Sequence, residues 1–148
     1  MTAKEYLSQA YRLDQRINSK IEQISSLNEL ATKCTAALNG MPGSSDHGKS
    51  TMSDAIIKII ELQEEINNDI DKLVDLKREI VRLIKAVEDS DLQTLLELRY
   101  LCFKTWEEIA VEMNYSNKWV RIKHSNALNA VAAEMKKRVP ESSVEFQI

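Results

Sequence analysis

This sequence predicts an all-α protein, with a long N-terminal antiparallel helical hairpin of coiled-coil type followed by a C-terminal helix-turn-helix domain. Three observations carry that expectation. Only three glycines and two prolines occur among 148 residues and aromatic residues are few, which leaves little of the material of a sandwich or barrel. Apolar residues recur in steps of three and four along most of the chain. Helix-start residues stand just before several of those apolar series.

The first helix is expected from about Ala3 to Leu38, with Leu13, Ile17, Ile21, Ile24, Leu27, Leu30 and Leu38 on one face. Residues Asn39 to Ser50, NGMPGSSDHGKS, then read as the loop of the hairpin because glycine, proline and serine cluster there. Through Gly43, Gly48, Lys49 and Ser50 this loop also matches the phosphate-binding pattern GxxxxGKS. A working phosphate loop leaves a buried strand, whereas the stretch before this one is helical, so the match reads as accidental.

A second long helix is expected to carry a seam of Met52, Ile56, Ile59, Gln63, Ile66, Ile70, Leu73, Lys77, Ile80, Ile84 and Val87, in alternating steps of four and three. Gln63 and Lys77 interrupt it, and whether they fix register or mark layer edges stays open. Ile60, Val74, Leu76, Val81 and Leu83 widen the stripe beyond a two-stranded seam, so more than one helix should meet it. Residues 1–89 are therefore expected to form an oligomerising hairpin. A polar break at Glu88, Asp89, Ser90 and Asp91 separates it from the next module, with Ser90 or Asp91 capping a support helix of Leu92, Leu95, Leu96, Arg99 and Tyr100.

Residues 90–139 carry most of the functional signal. Thr105 precedes Trp106, and Glu108 stands three residues beyond Thr105, so a capping box predicts a helix from Trp106 in which Glu108 returns a bond to the Thr105 amide. Trp106, Ile109, Ala110 and Met113 would face inward, and the helix should stop at Asn114, a residue that tolerates the left-handed conformation. Ser116 would cap the next helix, with Val120, Ala127, Leu128 and Val131 turned inward. At about 100° per residue, Lys118, Ile122 and Ser125 then point outward and Trp119 and Arg121 flank them, while Lys123 and His124 lie nearer the scaffold. With Asn117 at the helix start, these six, Asn117, Lys118, Trp119, Arg121, Ile122 and Ser125, are the candidate DNA-binding residues. Pro140 should end this helix, and the tail 140–148, with Val144, Phe146 and Ile148, should fray.

LRYLCFKTWEEIAVEMNYSNKWV, followed by His124, Ala127 and Leu128, resembles the fourth region of sigma-70-type factors. It is more closely similar to small sigma-region-4-like proteins of phages and prophages of Gram-positive bacteria. Leu96, Arg99, Tyr100, Trp106, Glu107, Glu108, Ile109, Ala110, Tyr115, Ser116, Val120, His124, Ala127 and Leu128 fill the family's positions across the last third of the chain. Ile122 stands where that group usually has a basic residue, and Trp119 where a polar one is commoner. The resemblance implies promoter binding and transcription regulation in a bacterial host.

Net charge is only -3. From Leu92 to Arg138, however, eight basic residues face five acidic ones, and the acidity is concentrated between Asp54 and Asp91. So small a surplus predicts weak binding by one copy and favours self-association as a dimer or higher oligomer. Cys34 and Cys102 have no metal-ligand spacing with His47 or His124 and read as reduced structural thiols. No catalytic constellation stands out, so no enzyme, cofactor or metal is expected. No apolar run approaches the ~20 residues of a bilayer span and no signal block opens the chain, so a cytoplasmic protein without a membrane partner is expected. Two other readings compete. One is a sigma-like interaction protein gripping RNA polymerase or another regulator; the other is a small terminase subunit, which normally places its helix-turn-helix first.

Overall fold

The computed structural model describes residues 1–40 and 45–138, with side chains at 1–34 and 50–138. All regular structure among them is helical: α1 (Ala3–Gly40), α2 (Ser45–Lys85), α3 (Ser90–Leu96), a π-helical turn (Glu97–Leu101), α4 (Trp106–Met113) and α5 (Asn117–Arg138). None of these helices is long and apolar enough to cross a membrane. The expected loop at 39–50 is shorter than its composition suggested, since α1 continues to Gly40 and α2 is already under way at Ser45. Serine and aspartate favour helix starts, and one glycine costs only about 1 kcal/mol within a helix, too little for Gly48 to hold off a long helical run. Gly48, Lys49 and Ser50 thus lie inside α2, whereas Gly43 and the tail with Pro140, Val144, Phe146 and Ile148 fall outside the described residues.

The chain divides into two compact units, Leu13–Leu73 and a second made of Met1–Arg12 with the chain from Val74 onward. That division differs from one at residues 89 and 90. The physical reason is burial: the end of α2 supplies Ile80, Leu83 and Ile84, and the connection after it Val87, to the same core as Leu92, Leu95 and Leu96.

In the unit Leu13–Leu73, Ala55, Leu62, Ile66 and Asp69 are buried, with Ile59 and Leu73 half-buried. The expected seam shares Ile59, Ile66 and Leu73 with this line but misplaces its alternate members by one residue, about 100° of helix rotation. Ile56 and Ile70 are 47% and 41% exposed, and Gln63 is exposed as well. α2 carries two apolar lines, and periodicity cannot choose between them. Charge marks the buried one, because Lys20 Nζ of α1 reaches Asp69 Oδ2 at 2.6 Å and Glu65 Oε2 at 3.6 Å. On α1, Ile17 is buried and Leu13, Ile24 and Leu27 are half-buried, whereas Ile21 and Leu30 are exposed against expectation; the Leu38 side chain lies outside the described ones.

The other unit is built on Leu7 and Ala10 of α1, Ile80 and Ile84 of α2, Leu95 and Leu96 of α3, Ile109 of α4, and Val120, Ala127 and Val131 of α5, each at most 2% exposed. Burying each large aliphatic side chain among these contributes about 2 kcal/mol before entropy is counted. α1 opens with a capping box, in which the Glu5 amide donates to Thr2 Oγ1 at 3.2 Å and the Thr2 amide to Glu5 Oε2 at 3.1 Å. α3 is capped by Asp89 rather than Ser90 or Asp91, since its Oδ1 accepts from the amides of Asp91 and Leu92 at 2.9 and 3.3 Å. Asp89 holds extended backbone angles, φ -76° and ψ 120°, as a capping residue must.

The π-helical turn inserts an extra residue ahead of α4, the Cys102 amide donating to Glu97 O at 3.0 Å. The chain then reverses through Phe103 at φ 58°, a conformation costly for a bulky residue. Two cations brace the reversal. Lys77 Nζ donates to Leu101 O at 3.3 Å and lies 4.8 Å from the Phe103 ring centre, while Arg99 Nη1 donates to Lys104 O at 2.9 Å. Lys77, an interruption in the sequence pattern, is therefore half-buried with a local partner of its own.

Candidate nucleic-acid interface

α4 begins where its cap requires. Thr105 is extended at φ -72° and ψ 160°, and its Oγ1 accepts from the Glu108 amide at 3.2 Å. The expected return bond is altered, for the Glu108 carboxylate accepts from the Thr105 hydroxyl at 3.1 Å and not from its amide. A hydroxyl proton rotates freely and can reach the carboxylate without bending the backbone. Asn114 ends α4 in the left-handed region, φ 59° and ψ 44°, and Tyr115 donates its amide to Ala110 O at 3.0 Å. Ser116 Oγ then accepts from the Trp119 amide at 3.1 Å and starts α5.

Ile109, Ala110, Val120, Ala127 and Val131 are buried between these helices and α3, while Trp106, Met113 and Leu128 are only half-buried. Opposite them Asn117, Lys118, Arg121, Ile122 and Ser125 are exposed, Ile122 at 52%. Neither Lys118 nor Arg121 has an ion-pair partner among the described residues. Trp119 is turned differently. It stacks on Tyr115 with ring centres 3.6 Å apart and an interplanar angle of 13°, and Lys123 Nζ lies 5.7 Å from its ring centre. That stack leaves Trp119 and Lys123 half-buried and removes the indole from the row of open side chains. Tyr115 in turn donates its hydroxyl to Asp91 Oδ2 at 3.3 Å, and the nearby Asp91 charge raises the phenol's pKa.

A buried aromatic group fixes the angle of α5. The Tyr100 hydroxyl lies 2.6 Å from His124 Nε2, with the rings stacked at 5.8 Å, and Trp106 meets the same imidazole edge-on at 4.4 Å. Arg99 covers the other part of this cluster, its guanidinium 4.3 Å from the Trp106 ring centre. Burial pushes the Tyr100 phenol up to about 12 and, with the charges of Lys4 and Arg99, His124 down to about 4. Both are neutral at ordinary pH. Lys104 closes the outer edge by an ion pair with Glu112, whose hydrogen bond raises the lysine's pKa.

Beside α5 lies a cleft of about 290 Å3 lined by Lys4, Trp106, Glu107, Asn117, Val120, Arg121 and His124. Lys4 is absent from the sequence-derived candidates, and nothing in its surroundings in the sequence links it to residues more than a hundred positions later. The Tyr100–His124 couple was also invisible as a pair, although both residues belong to the motif. Among the described residues, no three His, Cys, Asp or Glu side chains converge as a metal-ligand group. Cys34 and Cys102 are free thiols, and the exposure of Cys102 does not fit a structural role.

Residues 44–131 match the family described as protein of unknown function, DUF1492, over more than half of the chain. The chain belongs to the DUF1492 family. No curated protein and no solved structure matches it. The DUF1492 match takes in all six candidate residues on α5, the caps at Asp89, Thr105 and Ser116, and the Tyr100–His124 couple. Lys4 and Leu7 stand outside that match.

Proposed function

We propose that this DUF1492 protein is an oligomeric, sequence-specific duplex-DNA-binding regulator of transcription, of the sigma-region-4-like phage type, that acts by recognition without chemistry. The observation that carries the reading is the exposed row Asn117, Lys118, Arg121, Ile122 and Ser125 on a helix whose opposite side, Val120, Ala127 and Val131, is buried. On this reading α4 and α5 are a helix-turn-helix, with α5 entering the major groove: Lys118 and Arg121 meet phosphates or guanine acceptors and Ile122 a thymine methyl.

α1 and α2 form the stem, an antiparallel hairpin registered by the Lys20–Asp69 pair. Self-association follows from the second apolar line of α2, where Ile56, Ile57, Ile60 and Ile70 are between 41% and 53% exposed. Two copies would double the phosphate contacts and impose inverted half-sites on the operator.

Selection of duplexes from a random pool, with the full chain, tests this. A recurring inverted repeat is expected, and Lys118→Ala with Arg121→Ala should lose it while keeping helicity and mass. A pool with no enriched site, or a double variant that binds as before, would refute it. The exposure of Val111 (79%) and Ile122 (52%) favours a second reading, docking on a protein such as RNA polymerase. Copurification with polymerase and no retention of duplex at low salt would support that reading instead.

A further inference from the structure

The cleft beside α5 joins elements from opposite ends of the sequence. Lys4 comes from the first turn of α1, Trp106 and Glu107 from the start of α4, and Asn117, Val120, Arg121 and His124 from the first two turns of α5. Lys4 and Arg121 are exposed, and neither forms an ion pair among the described residues. Two cations without an ion-pair partner against one carboxylate leave the concavity net positive and favour an anion there. The Lys4 charge also reaches the cleft wall, where it adds to burial in lowering the His124 pKa.

The remaining wall is compatible with a phosphodiester. The Trp119 and Val120 amides are taken by Ser116, whereas the amides of Asn117 and Lys118, at the start of a 22-residue helix, have no carbonyl in the preceding turn. Trp106, which is half-buried, offers apolar surface of the kind a sugar ring covers. Glu107 is the one carboxylate in the lining and opposes an anion, so a single cation would be nearly cancelled and the second is required. The cleft also shares Arg121 and Asn117 with the exposed row on α5.

We propose that this cleft clamps one backbone phosphate of duplex DNA between Lys4 and Arg121, so that the first turn of α1 takes part in docking the reading helix. The inference rests on the DNA-binding reading above. It assigns Lys4 a positioning contact common to all sequences, since phosphate contacts set register and carry no base information.

The test uses the full-length chain, the selected duplex and a random-sequence duplex, with affinity measured across a salt series. Lys4→Ala should weaken both duplexes by the same several-fold factor and reduce the slope of log affinity against log salt by about one. Lys4→Arg should restore the slope, and Glu107→Gln should tighten both duplexes. A neutral methylphosphonate at one backbone position should weaken the wild type more than it weakens Lys4→Ala, in which Arg121 alone still meets that phosphate; an equal loss in both would overturn the clamp. If the wild type binds duplex and Lys4→Ala keeps its slope, the clamp is overturned and the DNA-binding reading survives. A wild type that retains no duplex overturns both. Inorganic phosphate bound in a Lys4-dependent manner, with duplex affinity independent of Lys4, would assign the cleft to a free anion and reject the clamp.

Discussion

Acidification should loosen the unit that carries α5, through His124. Its ring is half-buried against Tyr100 and Trp106, and its pKa falls from 6.5 to about 4 through burial and then the charges of Lys4 and Arg99. The unfolded chain takes up the proton near its ordinary 6.5, while the folded chain resists until about 4. Stability from the neutral ring is therefore complete above pH 6.5 and declines as the pH falls towards 4. At about 1.4 kcal/mol per pH unit the full displacement corresponds to roughly 3 kcal/mol, and solvent screening of a half-exposed ring reduces the expected loss to about 1–2 kcal/mol. The chain holds only two histidines, His47 and His124, so imidazole NMR resonances can be assigned with His47→Gln and followed singly. Urea unfolding of the wild type and His124→Gln at about pH 7.5 and about pH 5 should show the extra pH dependence only in the wild type. An imidazole of His124 that titrates at 6.5 or above in the native protein would refute the reasoning, whatever the variant's stability.

Asp69→Ala should cost about 3 kcal/mol, because it leaves the mostly buried Lys20 with only the longer contact to Glu65 at 3.6 Å, whereas replacing Lys20 and Asp69 together by leucine should be neutral or stabilising; urea midpoints distinguish the two outcomes. Asn114→Ala should destabilise by about 1 kcal/mol and Asn114→Gly should not, since only the former adds steric cost at φ 59° without a compensating side chain; equal thermal midpoints would contradict this. Ile60→Lys with Ile70→Lys should reduce the mass seen in sedimentation equilibrium while leaving helicity intact, and an unchanged mass would remove that face from self-association.

Local chemistry was legible in the sequence wherever one residue decides a backbone conformation. Thr105, Asn114 and Ser116 have side chains or torsional tolerance suited to a cap, a left-handed stop and a second cap, and α4 begins and ends, and α5 begins, accordingly. The helical character of the described residues was equally plain. What periodicity could not resolve was which of two apolar lines on α2 faces inward, because Ile56 and Ala55 are both acceptable members of a heptad. An aspartate decided it: Asp69 looks like a solvent residue until Lys20, forty-nine positions earlier, neutralises it. The outward row on α5 followed from helical geometry, but Trp119 departed from it once Tyr115 offered a flat partner. Lys4 and the Lys77 brace at Leu101 depend on tertiary proximity, for which a single sequence holds no local signal.

The burial of Leu7 and Ala10 among residues that follow Val74 has a consequence for how the molecule comes into being. Leu7 and Ala10 are made well before the residues they pack among, so this core closes only by joining distant parts of the polymer and its folding should be slower than helix content alone suggests. A fragment trimmed to residues 44–131 would leave a vacancy where Leu7 sits. Ribosome-bound chains should accordingly stay protease-sensitive around α3 until α5 has emerged.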